Sequence, residues 1–119
     1  MFTNSSVKEV FFSVFKRGDL RRVITHHSEN GTRIEHGKMK KWTIEILEGL
    51  EFLHDKQVVH LDIKPENIFL EELERVKVGD VGLARNIKTI SSSGINGTPC
   101  YVSSEVVTGK KINEKTDIW

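Results

Sequence analysis

The stretch His60-Leu61-Asp62-Ile63-Lys64-Pro65-Glu66-Asn67, followed by Asp80-Val81-Gly82, concentrates the residue types that can do chemistry. Asp62 offers a carboxylate and Lys64 a cation; Asn67 offers an amide oxygen and Asp80 a second carboxylate. Two short β-like runs lie between Asn67 and Asp80, Ile68-Phe69-Leu70 and Val76-Lys77-Val78, separated by the acidic Glu71-Glu72-Leu73-Glu74. That pattern predicts an antiparallel hairpin with a solvated loop. Pairing the runs would set Asn67 and Asp80 on either side of the hairpin's open end, with Asp62 and Lys64 in the loop leading to the same end. Amide and carboxylate oxygens are hard ligands, the kind Mg2+ takes when it also binds phosphate. Two anions, one cation and one neutral oxygen suit holding a metal-bound phosphate while a carboxylate orients an attacking hydroxyl. The spacing implies phosphoryl transfer.

These groups need elements to hold them. Met39, Trp42, Ile46, Leu50 and Leu53 recur at spacings of three and four, which predicts an amphipathic helix over 38–54. Ile44, Leu47 and Phe52 widen its apolar face, so burial on more than one side is expected, with the aromatics in the core. Upstream, Val7 to Phe15 is rich in Val and Phe and reads as a buried strand. Asp19 is placed to cap a short helix through Leu20, Val23 and Ile24, and the polar stretch from His26 to Gly37 reads as a loop. Ser, Thr, Gly and Asn dominate from Asn86 to Pro99, the composition of a flexible surface segment.

His-x-Asp-x-Lys-x-x-Asn followed by Asp-x-Gly resembles the catalytic and metal-binding loops of eukaryotic protein kinases. The resemblance implies that Asp62 accepts the substrate hydroxyl proton, that Lys64 neutralises charge on the transferring phosphoryl group, and that Asn67 and Asp80 bind Mg2+. His60 would be structural. Gly97-Thr98-Pro99-x-Tyr101 resembles the substrate-docking loop of serine/threonine kinases, with the Thr98 hydroxyl bonded to Asp62 and Lys64. Glu105 matches the glutamate that ends the activation segment. Asp117-Ile118-Trp119 resembles the start of the helix whose aspartate holds the catalytic loop backbone. The run from Trp42 through Leu70 and the Gly97–Tyr101 segment are similar to the NIMA-related group. The implied fold is α+β and kinase-like, comprising the hinge region and the first part of the mainly helical C-terminal lobe. The implied function is ATP-dependent phosphorylation of Ser/Thr hydroxyls on a protein substrate, with ATP and Mg2+ as cofactors.

The chain also departs from the family pattern. Leu61 stands where an arginine is usual, and leucine cannot pair with a phosphate on the activation segment; Arg85 is an alternative anchor. Val81 replaces the phenylalanine of Asp-Phe-Gly, leaving a gap of about 1–3 kcal/mol if nothing repacks, while Gly82 keeps the tight turn available. Ser103-Ser104-Glu105 stands for Ala-Pro-Glu, and Glu105 lacks its usual arginine. No Gly-x-Gly-x-x-Gly and no Val-Ala-x-Lys occurs, so residues 1–119 read as one partial kinase domain. Standing alone it would expose apolar surface and transfer little phosphate. The alternative is a catalytically inactive, pseudokinase-like or truncated interaction module.

Composition narrows the class. With 18 Lys and Arg against 17 Asp and Glu, the net charge of +1 gives no argument for nucleic acid or an anionic membrane as partner. No apolar run is long enough to span a bilayer. A single cysteine, Cys100, cannot form an internal disulfide, which suits the cytoplasm or nucleus.

Overall fold

The computed structural model describes residues 18–90 and 97–119. The strand expected over 7–15 lies outside them. The described chain contains α1 (Leu20–Glu29), α2 (His36–Asp55), β1 (Val58–Val59), β2 (Ile68–Leu70), β3 (Val76–Val78), β4 (Arg85–Asn86) and α3 (Ser104–Val107). Short 3-10 turns fall at Pro65–Asn67, Val81–Leu83, Pro99–Tyr101 and Glu114–Ile118. Helices with two small antiparallel sheets make this an α+β kinase-like fold. The chain forms two compact units. One takes the described residues up to Leu47 together with Pro65–Gly79; the other takes Glu48–Lys64 with the described residues from Asp80 to Trp119.

In the first unit β2 and β3 form the expected hairpin, with Ile68 opposite Val78 and Leu70 opposite Val76. Its inward face and the buried Trp42 of α2 make the core, where Ile68, Leu70 and Val76 meet partly buried Leu20, Val23, Ile34, Ile46 and Val78. Each such aliphatic side chain contributes roughly 1.5–3 kcal/mol by leaving water. Polar bonds fix the register. The Trp42 indole donates to the Glu74 carbonyl at 2.8 Å, and Val76 N–H donates to Glu45 Oε2 at 2.8 Å, so α2 satisfies an edge that would otherwise lack a partner. The loop turns on Glu74 in the left-handed region, φ 56°, with Lys38 Nζ on its carboxylate at 2.7 Å.

Asp19 caps α1 as expected, accepting from Arg22 N–H at 3.0 Å. The helix does not stop at Ile24, however: His26 to Glu29 are helical rather than loop. Asn30 terminates it locally, its side chain donating to the His26 carbonyl at 2.7 Å before Gly31 turns at φ 62°. The long helix also begins earlier than its apolar pattern, at His36.

Only one side of α2 is buried among the described residues. Trp42 and Leu50 are 5% and 2% exposed, whereas Ile44, Leu47 and Phe52 are 48%, 48% and 62% exposed. The expected second buried face, and Phe52 as a core aromatic, are therefore not realised; the Phe52 ring instead lies under the Lys56 ammonium at 4.8 Å.

Candidate functional site

The second unit builds its site on β1, whose Val59 is fully buried and pairs with Arg85 of β4. The strand delivers His60 into the interior, where it is 0% exposed. A buried imidazole needs polar partners, and its Nδ1 accepts the Asp62 N–H at 3.1 Å. This fixes Nδ1 as the bare ring nitrogen and His60 as a structural support, as expected.

Leu61 sits at φ 68°, a conformation costing a branched residue about 1–2 kcal/mol. Asp117 holds it there. One carboxylate oxygen accepts Leu61 N–H at 2.9 Å, and the other accepts His60 N–H at 2.8 Å. The aspartate expected to anchor the catalytic loop does so, although it lies on a 3-10 turn rather than an α-helix. The backbone N–H groups of residues 60, 61 and 62 are thus all pinned from below.

That pinning sets the side chains above. Thr98 donates its hydroxyl to Asp62 Oδ1 at 2.9 Å, and Lys64 Nζ donates to Thr98 Oγ1 at 2.6 Å. Lys64 Nζ also lies 3.5 Å from Asp62 Oδ2, closing a triangle. The carboxylate and the ammonium are 13% and 22% exposed, so both are sheltered from bulk water yet reachable. Gly97 lets this loop come close: a Cβ there would lie 2.9 Å from Val102 Cγ2 and 3.5 Å from the Leu61 carbonyl oxygen.

Asp80 belongs to the same unit and is exposed. It takes the left-handed conformation itself, φ 49°, and its Oδ1 accepts Gly82 N–H at 3.4 Å. The tight turn expected of Gly82 is therefore made by Asp80. At 82 the glycine leaves space, since a Cβ there would lie 3.2 Å from Asp80 Oδ1, close enough that the carboxylate would have to shift slightly. Val81 is 52% exposed. Asn67 belongs to the first unit, where it is 4% exposed and its carbonyl accepts Gly79 N–H at 2.8 Å. Carboxylate and amide oxygens fit a hard cation; the structure joins Asp62, Lys64 and Thr98 into one cluster.

The sequence model of the protein kinase domain matches residues 1–119. The chain belongs to the protein kinase family. It is 35% identical over 92 residues to a mitogen-activated protein kinase kinase kinase 17 of Arabidopsis thaliana, covering 77% of this chain and 25% of that protein. Against the mouse serine/threonine-protein kinase Nek4 it is 35% identical, with 86% of this chain and 13% of the relative covered. Against human Nek5 it is 39% identical, with 86% and 14% covered. This kinase chain spans a quarter or less of the length of these relatives. The serine/threonine class and the similarity to Nek proteins agree with the sequence reading.

Three features of the kinase site escaped that reading. His54, near the end of α2, bonds Asp117 Oδ2 through Nε2 at 2.8 Å. Thr116 donates to Glu105 Oε1 at 2.9 Å. The Gly97–Val102 approach is the third. No local spacing links 54 to 117 or 105 to 116, so only the fold could reveal those two. Arg85, considered as a substitute anchor, is exposed and turns back onto the Ala84 carbonyl at 2.9 Å.

Proposed function

We propose that this chain carries the phosphoryl-transfer centre of a serine/threonine protein kinase that uses ATP and Mg2+ to phosphorylate a protein substrate. The observation that carries the reading is the Thr98 hydroxyl shared between Asp62 and Lys64. It ties the peptide-docking loop to a carboxylate and a cation held at fixed separation.

Asp62 accepts the proton of the attacking Ser or Thr hydroxyl. Lys64, already oriented by Thr98, presents its ammonium to the oxygens of the transferring group, where negative charge must be stabilised. The Asp62 backbone cannot drift, because His60 and Asp117 hold it and the amides before it. Asp80 offers a carboxylate oxygen to Mg2+ and Asn67, by the family motif, an amide oxygen. Bound Mg2+ would neutralise phosphate charge. Leu61 removes the usual partner of an activation-segment phosphate, so loop phosphorylation loses that anchor.

The test is transfer of the γ-phosphate from ATP to a protein hydroxyl by the full-length protein. Asp62→Asn should lower kcat by roughly 100- to 10,000-fold while leaving ATP binding nearly intact. Unchanged turnover in that variant would remove Asp62 from the mechanism. Mg2+-dependent ATP binding with no transfer by the wild type would favour the inactive-module alternative.

A further inference from the structure

Glu66 stands between Lys64 and Asn67 in the chain and has no part in the chemistry described so far. Its carboxylate is engaged by α1: Arg21 Nε donates to Glu66 Oε1 at 2.9 Å. Arg21 is the second residue of that helix, Arg22 follows it, and the first turn carries no acidic residue. Cations are disfavoured at this end, where backbone N–H groups are already positive. Glu66 compensates one of the two arginines. The other stays uncompensated. Asp19 Oδ1 accepts the Arg22 backbone N–H, and Arg22 Nη1 lies over Gly18, 3.6 Å from where a Cβ would stand. Among the described residues no ion pair holds the Arg22 guanidinium.

We propose that Arg21 and Arg22 make this kinase select protein hydroxyls flanked by acidic residues, Arg21 by masking Glu66 and Arg22 by presenting an unopposed cation. Two residues of chain join Lys64 to Glu66, a tether of about 7 Å at full extension. A peptide whose hydroxyl is presented at Lys64 therefore carries its neighbouring side chains within reach of the Glu66 carboxylate. Left bare, that carboxylate would favour basic side chains. Paired with Arg21 it brings no net charge, and Arg22 tips the balance to positive. The paired side chains are 40% and 42% exposed, so an incoming residue meets them in water. Charges placed like this hold little binding energy each. Their effect is to steer the matching charge inward and to repel the wrong one.

The inference deepens the phosphoryl-transfer reading and rests on it. Its test is a set of peptides with one acceptor serine and Asp, Leu or Arg at each of three positions on either side, phosphorylated by the full-length protein. At low salt the best Asp peptide should exceed its Arg counterpart about two- to fivefold in kcat/KM, and the preference should shrink as salt rises. Arg21→Gln should lower that ratio about two- to fivefold by uncovering Glu66. Adding Glu66→Gln should return it toward the wild-type value. Arg22→Gln should bring the ratio close to one. Because each ratio compares two peptides on the same enzyme, a partial loss of folded protein cancels. A wild type blind to charge at every position would overturn the proposal, and so would an unchanged ratio in either single variant. The same peptides carrying a fluorophore report binding by anisotropy without turnover. Binding ranked by charge in a wild type that transfers no phosphate would count against the kinase reading alone, whereas binding indifferent to charge would overturn the selectivity proposed here.

Discussion

Thr116 donates its hydroxyl to Glu105 Oε1 at 2.9 Å, so the glutamate that follows the docking loop is held by a hydroxyl within the same unit. Its carboxyl is lowered below the ordinary glutamate value, first by its own backbone N–H and then by Thr116, against a smaller opposing effect of burial. A carboxyl more acidic in the folded state than in the unfolded one adds stability above the unfolded value. That stability is lost as pH falls through the folded value. Thr116→Val should therefore be less stable than the wild type at neutral pH, and part of the difference should vanish in acid. The remainder should persist, because Thr116 Oγ1 also accepts the Asn113 N–H in the cap of its own turn. Urea melts from neutral pH into the acid range would check this; a pH-independent gap would mean that Glu105 takes no part.

The Thr98 bridge gives a sharper kinetic expectation. Thr98→Val keeps the shape and removes the hydroxyl that joins Asp62 to Lys64. Loss of a hydrogen bond to a charged group is worth about 1.5–3 kcal/mol, or roughly 10- to 100-fold in kcat. Thr98→Ser keeps the hydroxyl and should stay within a few-fold of wild type. Steady-state phosphorylation of a protein substrate by both variants decides the matter. A Val variant with wild-type turnover beside an impaired Ser variant would show that the methyl group, not the hydroxyl, is what matters.

Trp42 is the test of the first unit. Its ring fills the core against Ile68, Leu70 and Val76, and its N–H satisfies the Glu74 carbonyl. Trp42→Ala should cost about 3–5 kcal/mol. Trp42→Phe keeps much of the apolar contact but strands that carbonyl, at about 1–3 kcal/mol. Chemical denaturation of the full-length protein would rank them; a Phe variant as damaging as Ala would show that the hydrogen bond dominates the packing.

What the sequence made legible divides along physical lines. The hairpin was readable because its period and its acidic loop are local, and Asp19 as a cap because capping is local too. The end of α1 was not, since His26 to Glu29 carry no apolar stripe and their helicity depends on the Asn30 cap. Two apolar faces on α2 looked equally fit for burial, but a core has to be supplied by other elements, and the described residues supply one for the face that carries Trp42, Ile46 and Leu50. The triangle of Asp62, Lys64 and Thr98 came from resemblance, because 98 is remote in sequence from 62 and no periodicity connects them. The left-handed Asp80 was missed because glycine at 82 drew the turn to itself.

Gly97 is where a single methyl group should do most harm near the site. A Cβ at that position would stand 2.9 Å from Val102 Cγ2, closer than real side chains tolerate, with the Leu61 carbonyl at 3.5 Å on its far side. The methyl cannot be accommodated by sliding toward Leu61, because Asp117 already fixes that backbone through its N–H. Val102 must give way, or the loop that carries Thr98 must lift. Lifting would lengthen the Thr98–Asp62 bond, so Gly97→Ala should lower kcat in the same sense as Thr98→Val. Trimming the obstacle separates the two causes. In the double variant Gly97→Ala with Val102→Ala the clash is gone, and kcat should recover toward the level of Val102→Ala alone. A double variant as slow as Gly97→Ala would show that the contact with Val102 is not what slows the enzyme.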